Sequence, residues 1–155
     1  PYFKPMGWIR YSLHVEQFES YKSWCVAYHG TTNDNVSSIL LRGLQRPGSA
    51  GVAVLHGQAH STTKKSIYVS PSIEYAAFPV YAQLFQLGDD HWAQLVLQCR
   101  VRRGAFIEKP GTLGSKRWPP EVRMDEHFNS LDGMEWLLED HAAVIVYGLM
   151  MREFG

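Results

Sequence analysis

Three residues in this chain have the type and the setting to do chemistry. His29 closes the apolar run Trp24-Cys25-Val26-Ala27-Tyr28 and is followed by Gly30-Thr31-Thr32. A titratable ring at a strand end, next to a residue without Cβ, sets an imidazole beside open backbone groups. Tyr68 stands in the middle of Ser66-Ile67-Tyr68-Val69-Ser70, an aromatic ring framed by hydroxyls. Glu135 heads the apolar run Trp136-Leu137-Leu138. A carboxylate there can stabilise a developing positive charge or accept a proton. Taken singly, each has an ordinary structural explanation: a hydrogen-bonded strand-end histidine, a core tyrosine with its hydroxyl satisfied, a solvated glutamate.

The elements that would position them follow from hydrophobic spacing. Residues 1–23 are an aromatic and charged N-terminal extension, within which Trp8–Leu13 alternates loosely as an edge strand. Residues 24–29 form a strand. Asn33 or Asp34 caps a helix that turns Val36, Ile39 and Leu40 to one face, and Gly43 stops it with Leu44 as its hydrophobic partner. Residues 45–65, with Pro47, His56, His60 and Lys64-Lys65, read as a long loop. A strand over 66–70 leads through Pro71-Ser72 into a helix that buries Tyr75, Ala76, Val80, Tyr81, Leu84 and Phe85, kinked at Pro79 and stopped by Gly88. Trp92–Val101 is the strongest strand signal, and Ala105–Ile107 a second strand after it. Residues 108–133 show no sustained period. Met134–Leu138 and Ala143–Met150 are the last two strands. The order predicts one α+β domain over 1–155: a mixed or antiparallel split β-sheet core with inserted helices. A doubly wound nucleotide fold is excluded, because regular βαβα alternation, GxGxxG and GxxxxGK[ST] are all missing.

Bulk properties narrow the function. With 155 residues and 45% hydrophobic content the chain can bury a real core. Fifteen basic residues balance fifteen acidic ones, so net charge gives no general affinity for nucleic acid or anionic membrane. Cys25 and Cys99 lie in strand-like runs and read as buried free thiols. No run is long enough to span a bilayer and no signal peptide is visible, so an intracellular, cytoplasmic or nuclear setting and a monomeric domain are expected. Opening on Pro1 rather than Met, the chain is expected to be a fragment or a trimmed product. The remaining histidines (His14, His56, His60, His91, His127 and His141) are scattered, and no metal is expected.

Taken together, Tyr28-His29-Gly30-Thr31, then Ser66–Pro71 leading to Ser72 and Tyr75, then Glu135-Trp136 ahead of Val144-Ile145-Val146-Tyr147, resemble the ADP-ribosyltransferase superfamily. The branch is the one with a His-Tyr-Glu triad, as in poly(ADP-ribose) polymerases, and the Ser-Pro-Ser-Ile-Glu-Tyr-Ala and Glu-Trp-Leu stretches look most like the catalytic domains of neuralized-like proteins. The likeness covers roughly residues 24–152. It implies an ADP-ribosyltransferase-like fold, NAD as co-substrate, and catalytic roles for His29, Tyr68 and Glu135. His29 would bond a ribose hydroxyl. Gly30, with Thr31 beside it, would pair with the nicotinamide carboxamide, and Ser72, or failing it Ser70, would complete that contact. Tyr68 would stack on one face of the ring, and Tyr75, chosen over Tyr81, on the other. Glu135 would hold the ribose 2′-hydroxyl and stabilise the oxocarbenium-like charge. The spacing from Tyr68 to the helix tyrosine is shorter than in the larger polymerases.

The implied activity is mono-ADP-ribosylation of a macromolecule, a protein acceptor ahead of a nucleic acid, with release of nicotinamide. Lys116, Arg117, Trp118 and Arg123 fall where the family places an acceptor-side loop; an ordinary solvated loop is the favoured reading of this stretch, and an acceptor-binding surface the sharper one. Three rivals stand beside it: an inactive NAD- or ADP-ribose-binding module, an NAD-dependent RNA 2′-phosphotransferase, and a plain NAD hydrolase. The phosphotransferase needs a basic constellation, for which the sequence offers only Arg42, Arg46, Arg102 and Arg103.

Overall fold

The computed structural model describes residues 2, 4–44, 66–113, 127 and 131–155. The elements in chain order are β1 (Ile9–Ser12), β2 (Cys25–Gly30), α1 (Asn33–Arg42), β3 (Ile67–Val69), α2 (Ile73–Ala76), β4 (Phe85–Gly88), β5 (His91–Val101), β6 (Phe106–Lys109), β7 (Glu135–Leu138) and β8 (Val144–Phe154). They make an α+β fold of two antiparallel sheets. One has the order β1-β8-β5-β2, with β4 also on β5; the other has the order β3-β7-β6. β8 runs along one edge of β5 from Trp92 to Val101, while β4 and β2 share the opposite edge end to end.

β5 is the spine. Its residues from Ala93 to Cys99 are all buried, which is why its sequence is a near-continuous apolar run. Alternation along the strands sends Ala27, Leu97, Cys99 and Val101 to one side, where they pack with Ile67, Val69, Leu138, Leu44 and Ile39 of α1. Tyr28, Val96 and Met150 go to the other side, under Ile73, Ala76 and Ala77 around α2. The glutamines that interrupt β5 are buried too, and both have partners. Gln94 donates to the carbonyls of Ala77 and Ala82 and accepts from Arg152. Gln98 accepts from Arg10 Nε at 2.6 Å. A buried amide without partners would cost about 1–3 kcal/mol, so these bonds are what let polar residues sit in the spine.

The same polar layer fixes α2. Glu74 accepts from Arg152 at 2.8 and 3.0 Å and from Trp8 Nε1 at 3.1 Å. The Arg152 guanidinium lies 4.4 Å over the Trp8 ring. A half-buried charge pair of this kind is oriented by its extra hydrogen bonds, and it clamps a four-residue helix onto the sheet.

Four local expectations change. The helix expected after Ser72 is only Ile73–Ala76, and Phe85–Gly88 is strand β4 instead. Pro79 lacks the donor an α-turn needs and disfavours helix at Phe78, and the outer edge of β5 beyond Val96 gains a partner by pairing with β4. Val80 is consequently exposed. In α1 the N-cap is Thr32, one residue early, and Leu40 points to solvent while Val36 is buried. Gly43 ends the helix as expected, its N–H on the Ile39 carbonyl at 2.8 Å, and Leu44 is buried. Cys25 and Cys99 are free thiols, but only Cys99 is fully buried. Burial pushes the Cys99 thiol up. No helix among the described residues is long and apolar enough to cross a membrane. The loop expected over 45–65 and the basic, aromatic stretch from Lys116 to Arg123 lie outside the described residues.

Gly30 carries a sharp test of this packing. A Cβ there would stand 2.0 Å from the Ala76 carbonyl oxygen and 2.9 Å from Tyr81 Cβ, whereas one at Gly88 would meet open space. Gly30→Ala is therefore expected to destabilise by about 1–3 kcal/mol and Gly88→Ala by less than about 0.5 kcal/mol. Urea midpoints measure both, and equal midpoints would refute the close α2–β2 contact.

Candidate active site

Among the described residues the backbones of the two sheets pair at one place. Tyr28 and Ser70 exchange backbone hydrogen bonds at 2.7 and 2.9 Å as an isolated antiparallel bridge. In an antiparallel strand the N–H and C=O of one residue point to the same edge, and alternate residues point to opposite edges. The Tyr28 pair faces β3, so the pairs of Val26 and Gly30 face the split as well. Ser70 follows Val69, which pairs with Trp136, so Ser70 comes level with Glu135. Tyr28, Ser70 and Glu135 thus form one row across the split.

His29 is the next residue along β2. Its Nδ1 lies 2.7 Å from the Tyr68 carbonyl oxygen. A carbonyl only accepts, so Nδ1 carries the hydrogen, and Nε2 is left with a lone pair. Desolvation lowers the pKa of His29, against the smaller opposing effect of the Tyr68 hydrogen bond. A neutral ring held this way is a hydrogen-bond acceptor at Nε2, suited to a hydroxyl donor.

Tyr68 pairs with Leu137, and Leu137 and Glu135 are two apart on β7, so Tyr68 and Glu135 share one face of their sheet. Their Cα atoms are diagonal neighbours, about 7–8 Å apart. Tyr75 of α2 reaches the same face, and its hydroxyl donates to Glu135 Oε1 at 2.7 Å. Glu135 is 5% exposed. Burial, helped by Tyr81 and Glu135, pushes the Tyr75 hydroxyl up, which keeps it a donor.

Thr112 completes the cluster, and the sequence carried no sign of it. Its hydroxyl donates to Glu135 Oε1 at 2.8 Å, and its backbone N–H lies 3.2 Å from the same oxygen and 3.0 Å from the Tyr75 hydroxyl. The turn that brings it there is tied by Gly111 N–H to the Leu131 carbonyl at 2.7 Å. Gly111 has to be small: a Cβ would stand 2.8 Å from the Tyr75 ring. Every bond Glu135 makes among the described residues goes to Oε1, which leaves Oε2 to accept from a ligand.

The other expected residues fall as follows. Ser72 is buried and caps α2, its Oγ accepting from Tyr75 N–H at 3.3 Å, while Ser70 Oγ accepts from Ser72 N–H at 3.2 Å. Each hydroxyl keeps its own hydrogen to donate. Thr31 is buried, and its hydroxyl turns to the Thr32 carbonyl at 3.4 Å. Gly30 does present its N–H and C=O to the split, but its missing Cβ makes room for the α2 carbonyl of Ala76 rather than for a ligand. Of the two helix-side tyrosines, Tyr75 is 3% exposed with its hydroxyl engaged, while Tyr81, centroid 5.9 Å away, is the partly exposed one. Arg102 and Arg103 do not join the cluster; they bond Asp140 and the Ser23 carbonyl. Arg46 and His56, His60 lie outside the described residues. No group of three His, Cys, Asp or Glu with metal-holding geometry occurs among the described residues.

Two measurements check this geometry. The His29 ring is expected to titrate below the ordinary 6.5 by NMR; a value at or above it would contradict the desolvated, Nδ1-donating ring. Because the folded chain binds this proton more weakly than the unfolded one, His29 contributes full stability above pH 6.5 and loses it as pH falls toward the folded value. Tyr75→Phe removes one donor from buried Glu135 and should cost about 1–3 kcal/mol in denaturant unfolding; an unchanged midpoint would show that the bond does not form. Compared with models of known protein families, the chain matches none of them.

Proposed function

We propose that this protein is an NAD-dependent ADP-ribosyltransferase that transfers a single ADP-ribose to a macromolecular acceptor, a protein ahead of a nucleic acid, and releases nicotinamide. The observation that carries the reading is the buried Glu135, held through Oε1 by Tyr75 and Thr112 with Oε2 left open, on the same sheet face as Tyr68, whose carbonyl holds the His29 ring.

The residues fit the parts of NAD. The outward N–H and C=O of Gly30 match a carboxamide, which offers one acceptor and one donor side by side. The hydroxyl of Ser72 has a hydrogen to add to that contact. Tyr68 and the partly exposed ring of Tyr81 offer aromatic faces, and an aromatic contact adds about 0.5–1.5 kcal/mol beyond area burial. His29 Nε2 accepts from a ribose hydroxyl.

Glu135 Oε2 accepts from a second ribose hydroxyl and places negative charge near C1′. The C1′–N bond to nicotinamide breaks with its electron pair going to the ring nitrogen, so positive charge grows on the sugar. A carboxylate already fixed and desolvated stabilises that charge without reorganising at the moment of reaction. An acceptor nucleophile then bonds to C1′ and gives up its proton, for which Glu135 is the nearest carboxylate in the cluster.

Glu135→Gln keeps the hydrogen-bonding shape and removes the charge. The expected outcome is unchanged NAD affinity with transfer reduced by about a hundredfold or more, measured as label incorporated from radioactive NAD and nicotinamide released. Undiminished labelling in the variant would remove Glu135 from catalysis. No nicotinamide release by the wild-type chain would leave a binding module instead of an enzyme.

A further inference from the structure

We propose that the open edge of β2 at Val26 is a docking site for an extended polypeptide segment, separate from the Glu135 cluster and independent of the transferase reading. The outer edge of β2 is accounted for residue by residue. Trp24 N–H donates to the Tyr21 carbonyl at 3.0 Å, and its own carbonyl accepts from Arg100 at 2.9 Å. Tyr28 is joined to Ser70. Between them, the outward N–H and C=O of Val26 meet no partner among the described residues. β3 cannot supply one: after Ser70 the chain turns away through Pro71-Ser72 into α2.

A cavity of about 500 Å³ lies at this edge, within the range that holds small ligands and short peptide stretches. Its lining includes Val26 and Trp24 with Lys22, Arg100 and Arg103, and Glu108, Asp132 and Trp136 from the β6–β7 sheet; Lys22 is paired with Glu19 at 2.7 Å. A side-by-side donor and acceptor on a strand edge match one residue of an added strand, whose N–H and C=O point the same way. A lining that carries both signs suits a chain that carries both signs. It disfavours a nucleic acid, whose phosphates would meet Glu108 and Asp132. The docked residue would sit about 13 Å along the strand from Gly30, at roughly 3.3 Å per residue, so one segment can occupy this edge without covering the carboxamide-reading backbone.

The test uses display of short random peptides on the full chain, with random single-stranded RNA in parallel. The wild-type protein is expected to enrich peptides, and an enriched peptide should slow hydrogen exchange at the Val26 amide. Its affinity should fall about tenfold or more in Arg103→Glu and in Val26→Pro, which deletes the outward donor at a position where an edge strand tolerates proline. If Val26→Pro fails to fold, Arg103→Glu, Lys22→Glu and the exchange readout still decide. The proposal is overturned by no peptide enrichment, by enriched peptides that leave Val26 exchange and the charge-reversal variants unaffected, or by enrichment of RNA in place of peptide.

Discussion

Two backbone hydrogen bonds between Tyr28 and Ser70 hold the rest of the architecture in place. They are the only ladder contact between the sheets among the described residues, and they set the register of everything around them. Because a strand alternates its bonding edges, fixing Tyr28 toward Ser70 also turns the backbone pairs of Val26 and Gly30 into the split. Because Ser70 stands level with Glu135, it places a carboxylate one strand from β3 and two from β2. The split is therefore a consequence of pairing geometry: among the described residues the two sheets pair at one residue, and the outward backbone pairs of Val26 and Gly30 on either side of it meet no partner.

Polar burial does the orienting. Glu135 is buried with its Oε1 held from three directions, by the Tyr75 hydroxyl and by both donors of Thr112. Tyr75 is held in turn by α2, which Glu74, Arg152 and Gln94 attach to the long strands. Inside a protein each such bond is electrostatically stronger than in water, and each orphaned partner is costly, so the network acts as a unit. The proposed chemistry needs this kind of support. A carboxylate that stabilises positive charge is most effective when its position is already fixed before the charge appears.

Much of the fold was legible in the sequence. β3, β5, β7 and β8 appear as short apolar runs between polar or glycine-containing stretches, and α1 ends where Gly43 follows its last turn. The errors have local causes. The spacing from Tyr75 to Phe85 is helical, yet Pro79 interrupts it and the β5 edge recruits Phe85–Gly88 as a strand. Leu40 has the spacing of a buried residue and faces solvent, since a helix of ten residues buries only the stripe that its sheet covers. At the site, the residue types of His29, Tyr68 and Glu135 and their places on strands could be read directly, but their partners could not.

By itself, the sequence determined most of the strand segments, where a histidine, a tyrosine and a glutamate sit on them, and that no strong net charge drives binding. These are properties of neighbouring residues, set by hydrophobic period and turn chemistry. Only the tertiary structure decided that Tyr75 supports Glu135, that Thr112 joins it, that the bareness of Gly30 serves α2, and that Val26 keeps an open edge. Those facts join residues 23 to 60 positions apart or depend on where β3 turns away from β2. Strand register and the meeting of loops, which no local pattern encodes, bring such groups within hydrogen-bond reach.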